Sequence, residues 1–128
     1  MVKVVGLDHV VLLTPDVERS LAWWSGVLGL EGERVDEWRS GSAPFPSVRI
    51  DPATIIDLFA GERNGRNVDH LCVVIEPDTD LDAVIAANMF EVDRGPVEVY
   101  GARGMGRSIY VRDPDGNVVE LRTYPVAG

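Results

Sequence analysis

The sequence carries one pattern twice: Leu7-Asp8-His9-Val10 and Val68-Asp69-His70-Leu71 each sit in an apolar run that reads as a β-strand. After each run come turn residues, a helical pattern and three further strand patterns. A duplicated strand, helix, three-strand order restricts the fold sharply, because short links join antiparallel strands whereas parallel neighbours need crossovers. The expected class is α+β, with two βαβββ modules, about residues 4–62 and 66–125, inside a single domain over 1–128.

In the first module the strand runs from Val4 to Leu13 and ends in Thr14-Pro15-Asp16, where Thr14 or Asp16 caps a helix whose apolar face is Val17, Leu21, Trp24 and Leu28. Gly29 closes it. Glu33 to Arg39 suits a strand, Ser40 to Pro46 a loop, and Ser47–Ile50 and Thr54–Phe59 a strand pair joined by Asp51-Pro52-Ala53. Gly61 to Asn67 is a polar linker. The second module repeats the order: a strand over Val68–Ile75, a helix with face Leu81, Val84, Ile85 and Met89, then strands at Glu91–Arg94 with Pro96–Val99, Arg107–Arg112 and Asn117–Tyr124. Asp113-Pro114-Asp115-Gly116 has the residues of a tight turn before the last strand.

Charge and cysteine content narrow the chemistry. A net charge of −9 with scattered basic residues argues against nucleic acid, so a small molecule is the expected partner. No apolar stretch approaches the ~20 residues that cross a bilayer, and Met1-Val2-Lys3 runs straight into a strand with no secretory leader pattern; a cytoplasmic protein is expected. Cys72 is the only cysteine, which rules out an intramolecular disulfide and a thiolate-rich metal centre. It reads as a small core residue.

The two histidines are the only ones in the chain, and each heads one repeat. The closing strands carry acids at matching places: Asp57 in Ile55-Ile56-Asp57-Leu58-Phe59 and Glu120 in Val118-Val119-Glu120-Leu121-Arg122. A carboxylate within an apolar strand needs a cation, a proton or a hydrogen-bond donor if it is buried. His9, His70, Glu120 and Asp57 are together a nitrogen and oxygen donor set for a divalent metal. Taken singly, each imidazole could instead satisfy a backbone group and each acid could face solvent. Asp8 and Asp69 fall on the opposite strand parity, and a solvent, turn or salt-bridge role is expected for them. In Tyr100-Gly101-Ala102-Arg103-Gly104-Met105-Gly106-Arg107, the glycines permit a mobile loop or a plain hairpin. Arg103 and Arg107 are candidate holders of an anionic substrate group, and Tyr110 a candidate donor to a substrate oxygen.

These segments resemble the vicinal oxygen chelate superfamily, which includes glyoxalase I, bleomycin-resistance proteins, fosfomycin-resistance enzymes and extradiol dioxygenases. The resemblance spans nearly the whole chain and rests on Leu7-Asp8-His9-Val10-Val11, Ser20 to Trp24, Val27 to Leu30, Val68 to Leu71, and above all Tyr110-Val111-Arg112-Asp113-Pro114-Asp115-Gly116-Asn117-Val118-Val119-Glu120-Leu121. It implies paired βαβββ modules curled into a cup-shaped mixed sheet with helices outside, and a homodimer. It also implies metal ligands at His9, His70 and Glu120, with Asp57 where glyoxalase-like members place a further acid, usually Glu. The metal would be Ni, Co, Zn, Mn or Fe. The leading expectation is a metal-dependent enzyme with glyoxalase-I-like lyase or isomerase chemistry on a small oxygenated molecule, in which Glu120 is a ligand that could also serve as catalytic base. The alternatives are an Fe(II) extradiol-type dioxygenase and a metal-free drug- or metabolite-binding protein.

Overall fold

A computed structural model of the chain describes residues 2–112 and 116–126. The elements are β1 (Val4–Thr14), α1 (Val17–Leu21), β2 (Gly32–Glu33), α2 (Val35–Arg39), β3 (Ser47–Asp51), β4 (Thr54–Ala60), β5 (Val68–Ile75), α3 (Leu81–Ala86), β6 (Glu91–Gly101), β7 (Gly104–Arg112) and β8 (Val118–Thr123). The class is α+β with mixed strand pairing, as the duplicated order requires. No helix among the described residues is long and apolar enough to cross a membrane. The expected turn at Asp113-Pro114-Asp115 lies outside the described residues.

The chain divides into two compact units. The first is His9–Asp69; the second joins the residues through Asp8 to the chain from His70 onward. The opening residues go with the second unit because the backbone N–H of Glu76 donates to the Lys3 carbonyl at 3.1 Å, and because Asp8 accepts from the Ala102 N–H at 2.8 Å and from the Tyr124 hydroxyl.

In the His9–Asp69 unit β4 pairs with β1 in parallel and with β3 antiparallel, and β3 pairs with β2. Strand parity sends Val48, Ile56 and Leu58 to one face, where Val17, Leu21, Trp24, Val35 and Trp38 cover them. Asp16 caps α1 by accepting from the Arg19 N–H at 3.0 Å. The helix then changes character: Ala22–Val27 is π-helical, and the Leu28 N–H reaches back five residues to the Trp23 carbonyl. The wider turn rotates the face, so Leu28, expected inside, is 51% exposed. The strand expected at Glu33–Arg39 is a correction: β2 stops at Glu33, Arg34 adopts a left-handed conformation with φ 57°, and Val35–Arg39 is α-helical. Val35 and Trp38 recur at helical spacing and pack on the same core, while Asp36 and Glu37 in the first turn and Arg39 in the last suit the helix dipole.

The other unit has the strand order β5-β8-β7-β6, with β5 and β8 parallel and the rest antiparallel. Ile75, Ile109, Val111 and Leu121 pack under Leu81 and Val84 of α3. The helix stops at Ala86, and Asn88 turns the chain at φ 55°, which leaves Met89 at 56% exposure instead of on the buried face expected for it. The two strand segments expected on either side of Gly95 form one strand, β6, whose register shifts between Val92 and Val97. The glycine-rich stretch after it is ordered pairing: β6 runs to Gly101, which faces Gly104 across a two-residue turn at Ala102-Arg103.

Candidate metal centre

Each unit places a histidine and an acid on the sheet face opposite its helices. The register is the same in both: Val11 faces Asp57 across the parallel β1/β4 pair, and Cys72 faces Glu120 across β5/β8. In both cases the residue opposite the acid stands two positions after the histidine, so histidine and acid project from one face on neighbouring strands.

In the first unit His9 Nε2 lies 3.7 Å from Asp57 Oδ2, with both side chains buried. Ser47, directly opposite Asp57 on β3, donates to Oδ1 at 2.5 Å. In the second unit His70 Nε2 lies 3.1 Å from Glu120 Oε1, and Glu120 is fully buried. Its other oxygen, Oε2, accepts from Ser108 Oγ at 2.7 Å and from Arg122 Nη2 at 2.8 Å. Tyr110 faces Glu120 in the β7/β8 register and meets the His70 ring edge-on at 5.4 Å. Burial and then the Glu120 charge raise the Tyr110 phenol above its ordinary range, so it keeps its proton at neutral pH.

Arg122 is entirely buried. Besides Glu120 it donates to the carbonyls of Tyr100 at 2.9 Å, Val99 at 3.0 Å and Gly104 at 3.4 Å, which ties the carboxylate to the β6–β7 hairpin. Burial, the largest single effect, opposes the guanidinium charge, but Glu120 together with Cys72 and Tyr124 outweighs it and raises the Arg122 pKa above the usual arginine range. The guanidinium explains two glycines. A Cβ on Gly101 would stand 2.4 Å from Arg122 Nη1 and 2.6 Å from Asp8 Oδ1, and one on Gly106 would stand 3.0 Å from Nη1 and 2.9 Å from the Thr123 carbonyl. These glycines clear space for a side chain.

The donor geometry suits a cation in the second unit. Two ligands at about 2.1 Å from a metal and at right angles to each other are about 3 Å apart, and the observed 3.1 Å matches that spacing. Ser108 and Arg122 hold Oε2, and Oε1 is the oxygen that faces His70. Asp57 has Ser47 on one oxygen and a wider gap to its histidine.

The remaining sequence candidates fall elsewhere. Arg107 is on the helix-side parity of β7, half-exposed, with Nη2 3.8 Å from Asp82 Oδ2; it is not brought to the Glu120 face. Arg103 lies in the hairpin turn with its guanidinium 4.6 Å from the Tyr124 ring centre. Cys72 is buried, as expected. Asp69 pairs with Arg66 at 3.8 Å, a salt bridge as expected, but Asp8 corrects the solvent or turn role: it is fully buried on Tyr124 and the Ala102 N–H. Ser47, Ser108, Arg122 and Tyr124 escaped the sequence reading. For Arg122 a signal existed, since a cation two residues after Glu120 in an apolar strand shares its face. Ser47 and Ser108 carried none.

A model of the Glyoxalase/Bleomycin resistance protein/Dioxygenase superfamily matches residues 6–121. The chain is 28% identical over 121 residues to virulence protein STM3117 of Salmonella typhimurium, covering 92% of this chain and 83% of that protein. Among solved structures it is similar to the Mn(II)-bound glyoxalase from Novosphingobium aromaticivorans, with a TM-score of 0.71 at 19% identity, aligning 99% of this chain with 44% of that one. It is also similar to methylmalonyl-CoA epimerase from Mycobacterium tuberculosis, with a TM-score of 0.63 at 20% identity over 95% of this chain and 90% of that one. At these identities the structural likenesses establish the fold.

Proposed function

Because the chain belongs to the glyoxalase/bleomycin resistance protein/dioxygenase superfamily, we propose that it is a metal-dependent enzyme of glyoxalase-I-like lyase or isomerase chemistry, acting on a small oxygenated molecule. His70 and Glu120 hold a divalent cation, and His9 and Asp57 are the corresponding donors of the other unit. The observation that carries this reading is the pair of buried histidine–carboxylate contacts at the same register in both units, 3.1 Å for His70–Glu120 and 3.7 Å for His9–Asp57. The fourth donor favours this chemistry over the oxygenase reading, whose usual set is two histidines and one carboxylate.

When bound, such a metal polarises adjacent substrate oxygens and stabilises the negative charge that develops on them. The protein groups have separate tasks. Ser108 and Arg122 fix the rotation of the Glu120 carboxylate, and the guanidinium favours its ionised form, which makes it a ligand rather than a proton-accepting base. Tyr110, kept protonated, donates a hydrogen bond to a substrate oxygen on the same face. The working form is a homodimer, as the family resemblance implies, and light scattering on the purified protein checks that.

Metal analysis of protein purified without chelator, beside a His70→Ala variant, tests the reading. Bound Ni, Co, Zn or Mn in the parent, lost in the variant, supports it. Oxygen-sensitive Fe(II) turns the assignment to oxygenation, and no metal in either protein overturns it.

A further inference from the structure

The arginine best placed to recognise substrate is Arg94, a residue outside the glycine-rich stretch. Arg94 pairs with Tyr110 in the β6/β7 register, and Tyr110 pairs with Glu120 in the β7/β8 register. Directly opposed residues of neighbouring strands project from the same face. Arg94, Tyr110 and Glu120 therefore form one row across three strands, on the face that also presents His70. The Arg94 guanidinium lies 4.8 Å from the Tyr110 ring centre, and that ring meets His70 edge-on at 5.4 Å.

Its charge is uncommitted. In this unit Arg107 stands near Asp82, Arg112 is held by Asp93, Arg122 is held by Glu120, and Arg103 stacks on Tyr124. Arg94 is exposed and has no carboxylate partner among the described residues. An aromatic ring that supports a guanidinium from below restricts its rotamers and leaves its donor fork open to an incoming oxyanion.

We propose that Arg94 binds a carboxylate of the substrate, so that the substrate class is a small carboxylic acid whose chelating oxygens lie a few bonds from the acid group. The proposal rests on the metal reading above for the position of those oxygens. Strands stand about 4.8 Å apart, so a row two strands wide places the Arg94 and Glu120 backbones about 10 Å from each other, and the arginine side chain folds back over Tyr110 to shorten that gap. A single open guanidinium in a chain of net charge −9 suits a monoanionic carboxylate rather than a phosphate dianion.

The test compares two hydroxamate chelators on the Co(II)-loaded protein, followed by the visible Co(II) spectrum and by calorimetry: neutral acetohydroxamate and succinic acid monohydroxamate, which adds a carboxylate. The expected result is tighter binding of the carboxylated probe by roughly ten- to a hundredfold, the range of one charge-assisted interaction. In Arg94→Gln, which changes an exposed side chain and is checked for folding by circular dichroism, that ratio should fall to about 1. Equal affinity for both probes in the parent, or an unchanged ratio in the variant, overturns the role of Arg94 while leaving the metal reading in place. Failure of the parent to take up Co(II) overturns the metal reading, and this proposal with it.

Discussion

Removing the Arg122 guanidinium should destabilise the protein by about 4 kcal/mol. Nη2 and Oε2 are 2.8 Å apart and both side chains are buried; at an effective dielectric of about 20 their attraction is about 6 kcal/mol before desolvation is subtracted. Deleting one partner of a buried pair costs about 3–5 kcal/mol, because the other charge is left uncompensated. Arg122→Met preserves most of the stem volume, so the loss measures charge and hydrogen bonding more than cavity formation. The carbonyls of Val99, Tyr100 and Gly104 lose donors as well, which adds to the cost, whereas Ser108 and His70 continue to satisfy Glu120 in part and reduce it. Urea unfolding with chelator present keeps any metal contribution out; at a slope of about 2 kcal/mol/M the midpoint should fall by about 2 M. The double variant with Glu120→Gln should recover about 2 kcal/mol, since a neutral amide does not require the cation. A loss below about 1 kcal/mol, or costs that add within about 0.5 kcal/mol, would refute the reasoning.

Three further outcomes follow from the same unit. Gly101→Ala should cost at least about 2 kcal/mol in urea unfolding, because its Cβ would collide with the pinned Arg122 and Asp8 side chains; a neutral effect would mean that the guanidinium is free to move. Ser108→Ala removes one of the two donors to Glu120 Oε2, so it should cost about 1–2 kcal/mol in stability and about tenfold in metal affinity by competition with a chelating dye. Tyr124 is raised above its ordinary value of 10.0 by burial and by its hydrogen bond to Asp8. A raised phenol contributes stability that is complete below about pH 10 and is lost as pH climbs through the folded value. Phenolate absorbance should thus show two late-titrating tyrosines, Tyr110 and Tyr124, of which one is lost in Tyr124→Phe, and the variant should lose less stability than the parent on alkaline titration.

The duplicated order was legible because strand periodicity and turn residues occur twice in the chain, and both histidine–acid pairs followed from their matching strand positions. Misreadings arose where a local signal was outweighed by packing. Glu33 to Arg39 has a strand-like composition, yet a left-handed Arg34 restarts the chain so that Val35 and Trp38 reach the core as a helix. Leu28 fits the helical face only if the helix stays α, and the π turn before it breaks that spacing. The three glycines between Tyr100 and Arg107 suggested mobility, but two of them are small because Arg122 fills the space a Cβ would take. That reason involves a side chain some twenty positions away, and no local pattern encodes it.

The duplication also shows where the halves have diverged. Both acids sit at one register and both accept from a buried serine, but those serines differ: Ser47 stands directly opposite Asp57, whereas Ser108 reaches Glu120 diagonally and Tyr110 takes the opposed place. Glu120 additionally has Arg122. A carboxylate held by a cation on one oxygen keeps its orientation, and its other oxygen, here the one facing His70, is held in a fixed direction. Asp57, with the shorter side chain, is 3.7 Å from its histidine where Glu120 is 3.1 Å from its own. On the metal reading proposed above, the asymmetry ranks Glu120 as the stronger ligand and Asp57 as the adjustable one, on geometry that belongs to each unit separately.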